Sequence, residues 1–390
     1  MSRSSPADTS CIVPCNRSPS PSRRAPRRSS AISSASACSG CPRSLGPRAE
    51  PAGRKERNRG EAFVNFQLSE DQEALRTGTR KFCDEQMPVT RLAELEKTQG
   101  FDRELWGELA QMGVFNLHLS EETGGAGLGM AEAVLVFCEL GRRLVPGPLA
   151  WSQLAAGHID GAAEGECVVG GIDRVGAPTG PILIEHLESL DALMVLRPDG
   201  VYQVDPGQLR GKPVEVPLDP LTPLHHLDDL LEGDRIGGAD EMRQLRLHGA
   251  ALSTALMLGI AESTLELANA YAKERKQFGR AIGSFQAVKH MLADMFVRME
   301  VARAAVYAAG ATLDDPLVGS IPRAVAAAVV TAGEAAHENS CACIQIHGGM
   351  GYTWEVPAHY YMKRSWVLGT QFGDREEYCE TLSEIIEQSL

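Results

Sequence analysis

Gln345-Ile-His-Gly-Gly-Met-Gly-Tyr-Thr-Trp-Glu-Val-Pro357 is the stretch that decides the fold, together with the earlier stretch Arg275-Lys-Gln-Phe-Gly279. An alanine-rich helix leads into the first stretch. It is expected to end at Gly348-Gly349, because glycine accepts the left-handed backbone of helix ends. A helix predicted over about 250–274, with apolar residues at helical spacing, leads into the second stretch. Arginine at such a helix end can bind a pyrophosphate through two parallel hydrogen bonds, a geometry that lysine does not reproduce.

Both stretches resemble the carboxy-terminal half of the acyl-CoA dehydrogenase family, whose members oxidise acyl-CoA thioesters with flavin adenine dinucleotide (FAD). The resemblance implies that Arg275 binds the FAD pyrophosphate and that Phe278 packs against the cofactor. It also implies FAD contacts across a subunit boundary from Gln345, Gly348, Gly349 and Gly351. Alone, Arg275-Lys-Gln-Phe-Gly279 would indicate an exposed basic cluster, and Gly348-Gly349 would indicate a helix end. The register with the family over residues 275–294, and the spacing to Pro357, favour FAD binding.

The order of patterns predicts a mainly α protein with a small β domain, similar to acyl-CoA dehydrogenases. Residues 1–63 are rich in Ser, Pro and Arg, and we expect them to be disordered. Family-like sequence begins at Val64, so a start assigned too far upstream also explains this head; a transit peptide is the alternative. We expect an N-terminal helical domain over 64–158, a reduced β middle domain over 159–245 and a C-terminal four-helix bundle over 246–390. The middle segment lacks the family's Thr-Glu-Pro segment, whose strand touches the flavin ring.

Charge separates the head from the rest of the chain. Residues 1–63 contain 12 Lys or Arg and 4 Asp or Glu, a net charge of +8, whereas the remaining 327 residues carry a net charge of −21. An acidic folded part argues against nucleic-acid binding. No uncharged apolar run of about 18 residues occurs, so no membrane span is predicted. The single Cys-x-x-Cys pair, Cys38 and Cys41, has no histidine nearby, so we predict no metal site and a cytoplasmic protein with reduced thiols.

The resemblance also locates the residue that should remove the α-proton of the substrate, and that residue is not acidic here. Most of the family keeps a carboxylate at the position that Phe372 occupies when counted from Gly348. A smaller group keeps it 26 residues before the pyrophosphate arginine, at the position of Gly249. Neither side chain accepts a proton, although the reaction needs a base in reach of the α-carbon. Asp374 is a weak candidate for a displaced base, whereas His248 is more typical of a helix start.

A chain with no base and a short middle segment resembles one subunit of the α2β2 acyl-CoA dehydrogenases of bacterial sterol and bile-acid side-chain degradation. This implies FAD-dependent α,β-dehydrogenation of an acyl-CoA substrate with a second, base-bearing dehydrogenase-like subunit. An electron acceptor such as an electron-transfer flavoprotein is implied as well. Two alternatives stay open: a self-sufficient dehydrogenase or oxidase with a displaced base, and a non-enzymatic scaffold of the same fold. Arg275 and Gln345 argue against the scaffold.

Overall fold

The computed structural model describes residues 67–98, 100–176 and 181–388. The expected disorder of 1–63, the start at Val64 and the Cys38–Cys41 pair lie outside these residues.

The amino-terminal part of the described chain is helical. Its helices are α1 (Glu70–Gln86), α2 (Val89–Lys97), α3 (Arg103–Gln111), α4 (Met130–Arg142) and α5 (Leu149–Ala155). Ser69 followed by Gln72 three residues later predicts a capping box at the start of α1. It is confirmed, because the Ser69 hydroxyl accepts from Gln72 N at 3.1 Å and the Gln72 side chain accepts from Ser69 N at 3.0 Å.

The middle of the chain forms two small sheets. Their strands are β1 (Val169–Asp173), β2 (Ile182–Glu185), β3 (Ala192–Arg197), β4 (Gly200–Val204), β5 (Gly211–Pro213), β6 (Leu224–Leu227) and β7 (Asp234–Gly238). One sheet has the order β1-β3-β4-β7, with β1 and β3 parallel, and the other has the order β2-β6-β5. The β-branched run Val214-Glu-Val216 predicts a further strand, and this prediction is wrong: these residues belong to a proline-rich loop, and the fixed φ angles of proline suit turns better than a strand ladder.

The carboxy-terminal part is helical, apart from a hairpin of β8 (Lys276–Gln277) and β9 (Arg280–Ala281). Its helices are α6 (Ala239–Glu274), α7 (Gln286–Asp314), α8 (Ile321–His347), α9 (Ala358–Leu368) and α10 (Arg375–Glu387). The predicted end of α8 is confirmed, and α9 includes the residues from Ala358 to Leu368 for which the sequence also predicts a helix. However, α6 begins well before the predicted residue 250, since the acids Asp240 and Glu241 in its first turn favour a helix start there. The domain bounds at 158 and 245 stay predictions.

Helix α6 is the central element of the core. It crosses α4 so closely that a β-carbon on Gly141 would collide with the Leu256 backbone, and one on Gly259 with the Cys138 backbone. Helices α7 and α8 cover its other sides. Among the described residues, α6 is the one helix long and apolar enough to cross a membrane, but 83% of its most apolar window is buried by its neighbours. Its apolar surface is therefore used for packing within the fold.

Candidate active site

Arg275 ends α6 and begins a hairpin that keeps its side chain exposed. Its backbone N donates to Tyr271 O at 2.8 Å, and its O accepts from Ile282 N at 2.8 Å, so the backbone is fixed on both sides. At the tip, Phe278 and Gly279 have φ values of 52° and 77°, the positive pair that a type I′ turn requires. Within the described ranges the Arg275 guanidinium has no ion-pair or hydrogen-bond partner, so it can bind an anion.

The hairpin presents an aromatic ring beside several cations. The Phe278 side chain is 91% exposed and meets the Phe285 ring edge-on, with centroids 6.1 Å apart. The guanidinium of Arg280 lies 4.1 Å from the Phe285 centroid. Arg275 and Lys276 are also exposed on this hairpin. An exposed ring next to three positive charges suits a ligand that carries both phosphate and aromatic groups.

The end of α8 carries the other predicted cofactor residues. Gln345 is exposed in its last turn, and Gly348 ends the helix with φ 61° and ψ −135°. A β-carbon on Gly348 or Gly349 would meet no atom within 4 Å, whereas one on Gly351 would lie 2.5 Å from Ile344 O. Gly348 and Gly349 therefore leave a bare backbone open to a ligand, and Gly351 is needed for packing against α8. Only Gly348 of the predicted pair has a positive φ.

Tyr271 and His347 join these two segments. Their rings stack with centroids 4.2 Å apart and planes 25° from parallel. Beneath them, the ends of α6 and α8 share a small apolar cluster with α7 and α9, formed by Ala268, Ala272, Met295, Cys343, Ile344, Ile346 and Ala358. The sequence analysis missed this pair, although the position of Tyr271 one helical turn before Arg275 is a usable signal. The segments of Arg275 and Gln345 thus belong to one end of the bundle.

These residues fit FAD. Its pyrophosphate is a dianion that suits the unpaired Arg275 guanidinium, and its rings suit the uncovered Phe278. The open backbone at Gly348 and Gly349 lets a cofactor approach closely.

The two family positions for the catalytic base meet in space. A β-carbon on Gly249 would lie 2.5 Å from Cδ1 and Cζ of Phe372, so the ring fills the place of any side chain there. Phe372 is 0% exposed and packs on Trp151, with ring centroids 4.3 Å apart. Its φ of 55° is unusual for a phenylalanine, and Tyr378 Oη fixes this turn by donating to Phe372 O at 2.8 Å. The space beside Gly249 is therefore apolar core. We call Phe372 and Trp151 the aromatic plug.

An ion-pair cluster lies next to the plug. The guanidinium of Arg246, one turn before Gly249 on α6, bonds both oxygens of Glu377 at 2.6 and 2.7 Å. Its Nε donates to Asp173 Oδ2 at 2.6 Å. Arg246 thereby ties α6 to α10 and to the end of β1, and it closes the loop that contains Phe372 against the sheet.

Asp374 and His248 are the two alternative bases that the sequence offers. Asp374 is exposed and caps α10, where its Oδ1 accepts from Glu377 N at 3.0 Å. His248 is not at a helix start, as the sequence suggested, but inside α6. Burial lowers the pKa of His248 to about 4, and the neighbouring His118 acts in the same direction. The role of Asp374 as a base stays a prediction.

Glu185 is a half-buried residue that no sequence motif marks. Its Oε1 and Oε2 accept from Gln371 Nε2 at 3.1 and 2.9 Å, and Gln371 precedes Phe372. Burial raises the pKa of Glu185, although the Gln371 hydrogen bond and Arg364 lower it. Glu185 also lines a cavity of about 20 Å³ together with Trp151 and Gln371, room for about one water molecule. Glu185 is the last residue of β2, a strand that contains no functional motif, so the local sequence does not predict a role for it.

Both helical parts of the chain are similar to known proteins. Residues 69–163 match the family model of the acyl-CoA dehydrogenase N-terminal domain, and residues 238–386 match that of the C-terminal domain. The acyl-CoA dehydrogenase IpdE2 of Mycobacterium tuberculosis is 34% identical over 290 residues, which cover 71% of this chain and 85% of IpdE2. The residues that match the two family models lie on either side of the two sheets. The sheet region is the part of the chain whose own sequence shows no family motif.

Solved structures share the fold. The ChsE4-ChsE5 complex from Mycobacterium tuberculosis aligns with a TM-score of 0.73 at 23% identity, covering 83% of this chain and 99% of the matched chain. A Tcur3481-Tcur3483 steroid ACAD variant aligns with a TM-score of 0.70 at 23% identity, covering 82% and 98%. With both terminal domains matched and a curated relative above 30% identity over most of its length, the chain belongs to the acyl-CoA dehydrogenase family.

Proposed function

We propose that this chain is the FAD-holding, base-lacking subunit of a heteromeric acyl-CoA dehydrogenase. The observation that carries the proposal is the aromatic plug. The Phe372 ring fills the space beside Gly249. The two positions at which the family keeps its proton acceptor are therefore in apolar contact with each other. A base within reach of the α-carbon is indispensable for this reaction. We therefore assign that base to a second dehydrogenase-like subunit.

Bound FAD, the cofactor of the family, would supply the hydride acceptor for the β-carbon of the acyl group. This chain's contribution is to hold FAD at the subunit boundary. Arg275 would bind the pyrophosphate through two parallel hydrogen bonds, and Phe278 would pack against an aromatic ring of FAD. Gln345 would donate a hydrogen bond to FAD from its side-chain amide. The backbone at Gly348 and Gly349 would approach the cofactor closely. Gly351 supports this role indirectly by packing on α8.

The names of the similar structures support a heteromeric enzyme and a steroid substrate. One is a complex of two named chains, ChsE4 and ChsE5, and the other is named a steroid ACAD. We propose a steroid side-chain acyl-CoA as the substrate of the assembly and an electron-transfer flavoprotein as its electron acceptor. A cytoplasmic location stays a prediction.

The alternatives gain less support from the geometry. A self-sufficient dehydrogenase or oxidase would need Asp374 as a displaced base, yet its carboxylate is engaged in capping α10. Glu185 would have to be ionised to act as a base, yet burial raises its pKa and favours the neutral acid. A scaffold without flavin would leave the unpaired Arg275 and the uncovered Phe278 without a ligand.

The test compares the chain alone with the chain co-produced with a dehydrogenase chain that has Glu at one of the two base positions. Anaerobic flavin reduction by an acyl-CoA is measured for both. We expect no turnover by the lone chain and turnover by the pair. Replacing the partner's glutamate by glutamine should cost about 10²–10⁴-fold or more. Asp374→Asn in this chain is the matched control and should cost far less. Reduction by the lone chain that Asp374→Asn abolishes would overturn the proposal.

A further inference from the structure

A groove of about 450 Å³ lies between the proline-rich loop that joins β5 to β6 and the segment just before α9. Its apolar walls are formed by Val214, Val216, Pro217, Pro220, Pro223 and Trp354, and its rim carries Glu96, Glu188, Glu215 and Lys363. We call it the proline groove. The Val216 side chain is 86% exposed and Trp354 is 64% exposed. Large apolar side chains clustered at one surface, within a charged rim, are typical of a protein-binding site.

The loop is held open by a buried anchor. Asp219 is fully buried and accepts from Leu221 N at 3.1 Å and from the Thr222 hydroxyl at 2.8 Å. Its carboxylate also pairs with the guanidinium of Arg364 on α9. Asp219 thereby ties the loop to α9 three residues after the exposed Val216. A partner would thus bind a preorganised surface and lose little entropy in ordering it.

The charges of the rim define the chemistry of the occupant. Glu188 and Glu215 are exposed carboxylates, and Glu215 makes no ion pair within the described part of the chain. The one rim ammonium, that of Lys363, already lies 5.0 Å from the centroid of the Trp354 ring. A segment that places a Lys or Arg side chain next to an aliphatic or aromatic one would complement both the acids and the apolar walls.

The groove also continues the surface that we assign to FAD. Trp354 follows Gly351 by three residues, and Tyr352 between them is 84% exposed. In the proposed function, the segment from Gln345 to Gly351 lies at the boundary with the base-bearing subunit. We infer that the proline groove binds that partner subunit, through a partner segment with a cationic side chain beside an apolar one. This inference rests on the proposed function.

The test uses the full chain and its base-bearing partner, with the dissociation constant of the pair measured by mass photometry over a dilution series. Trp354→Ala should raise it about 30-fold or more, as for a central aromatic anchor. Val216→Asp should raise it about 10-fold. Glu215→Lys should slow association at low salt and have less effect at high salt. Leu317→Asp, at a leucine 89% exposed in the loop between α7 and α8, is the matched control and should leave the constant unchanged.

The melting temperature of each lone variant separates loss of binding from loss of folding, and all four substitutions are at exposed sites that should leave it unchanged. If the wild-type pair forms and the groove variants bind as tightly, the groove inference fails while the proposed function stands. If the wild-type chain binds no base-bearing partner, both fail. If the groove variants disrupt only self-association of this chain, the occupant is a second copy and the inference is overturned.

Discussion

Tyr271 and His347 stack face to face at 4.2 Å, and this contact joins the two segments that we propose bind FAD, which are distant in sequence. Tyr271 O accepts from Arg275 N at 2.8 Å, so the position of the ring is coupled to that of the arginine. The His347 ring is fixed to its own helix, α8, by a 2.8 Å hydrogen bond between its Nδ1 and Cys343 O. It directly precedes Gly348. The stack therefore sets the spacing between the predicted pyrophosphate and backbone contacts.

Tyr271→Ala should weaken FAD binding without removing any FAD contact. An aromatic pair contributes about 0.5–1.5 kcal/mol, so we expect the dissociation constant to rise about 3–10-fold. The measurement is quenching of FAD fluorescence on binding to the heteromeric assembly. Tyr271→Phe keeps the stacked ring and should bind FAD like the wild type. Equal FAD affinities for the alanine and phenylalanine variants would contradict a role for the stack.

Arg275→Lys should release FAD although the positive charge is retained. Lysine loses the planar fork that binds a phosphate through two hydrogen bonds, and such charge-assisted bonds contribute about 1.5–3 kcal/mol each. We expect a loss of affinity of about 10-fold or more, measured as flavin retained through gel filtration. Arg280→Lys is the matched control, because this arginine is exposed on the adjacent strand and lies over Phe285. Similar losses in both variants would point to general charge rather than to a pyrophosphate contact.

Features set by short stretches of sequence were predictable. The Ser69 capping box, the end of α8 at His347 and the helix Ala358–Leu368 follow from local signals and agree with the structure. The predicted cofactor residues are likewise grouped in two short motifs. Their joint placement could be inferred only from the family resemblance, because the Tyr271–His347 contact depends on the packing of α6 against α8.

Features set by tertiary packing were missed. Loss of the base at Gly249 and Phe372 was visible in the sequence, but the contact between them was not, since it depends on how the turn before α10 folds onto α6. Helix α10 itself was not predicted, although Asp374 is a typical N-cap. Glu185 was missed because a burial that changes the pKa of a carboxyl group leaves no trace in a strand of four residues.

Glu185 should make stability depend on pH. Its pKa is raised in the folded state, so its protonated form contributes stability that is present below the unfolded pKa and lost as pH rises through the folded pKa. Glu185→Gln cannot ionise and should keep the Gln371 hydrogen bond. We therefore expect the melting temperature of the variant minus that of the wild type to increase as pH rises above the unfolded pKa of a glutamate, about 4.3. A difference that is constant with pH would mean that folding does not raise the pKa of Glu185.

Phe372→Ala should destabilise the chain strongly, because the ring is fully buried between Gly249 and Trp151. Removing a core phenylalanine costs about 3–5 kcal/mol, through lost burial and the cavity that remains. Alanine keeps a β-carbon at the positive φ, so the loss reports packing rather than relief of backbone strain. The measurement is the free energy of unfolding from urea titration of the lone chain.

Phe278→Ala is the matched control for this substitution. The Phe278 side chain is 91% exposed and also has a positive φ, so its removal should change the free energy of unfolding by no more than about 0.5 kcal/mol. The cavity left by Phe372→Ala should also bind benzene, which would recover part of the lost stability, and the recovery should grow with the logarithm of the benzene concentration once the site is mostly filled. If the two alanine variants were equally stable, the Phe372 ring would not be packed beside Gly249. The space for a catalytic side chain would then be open, and the argument for a base supplied by the partner would lose its structural support.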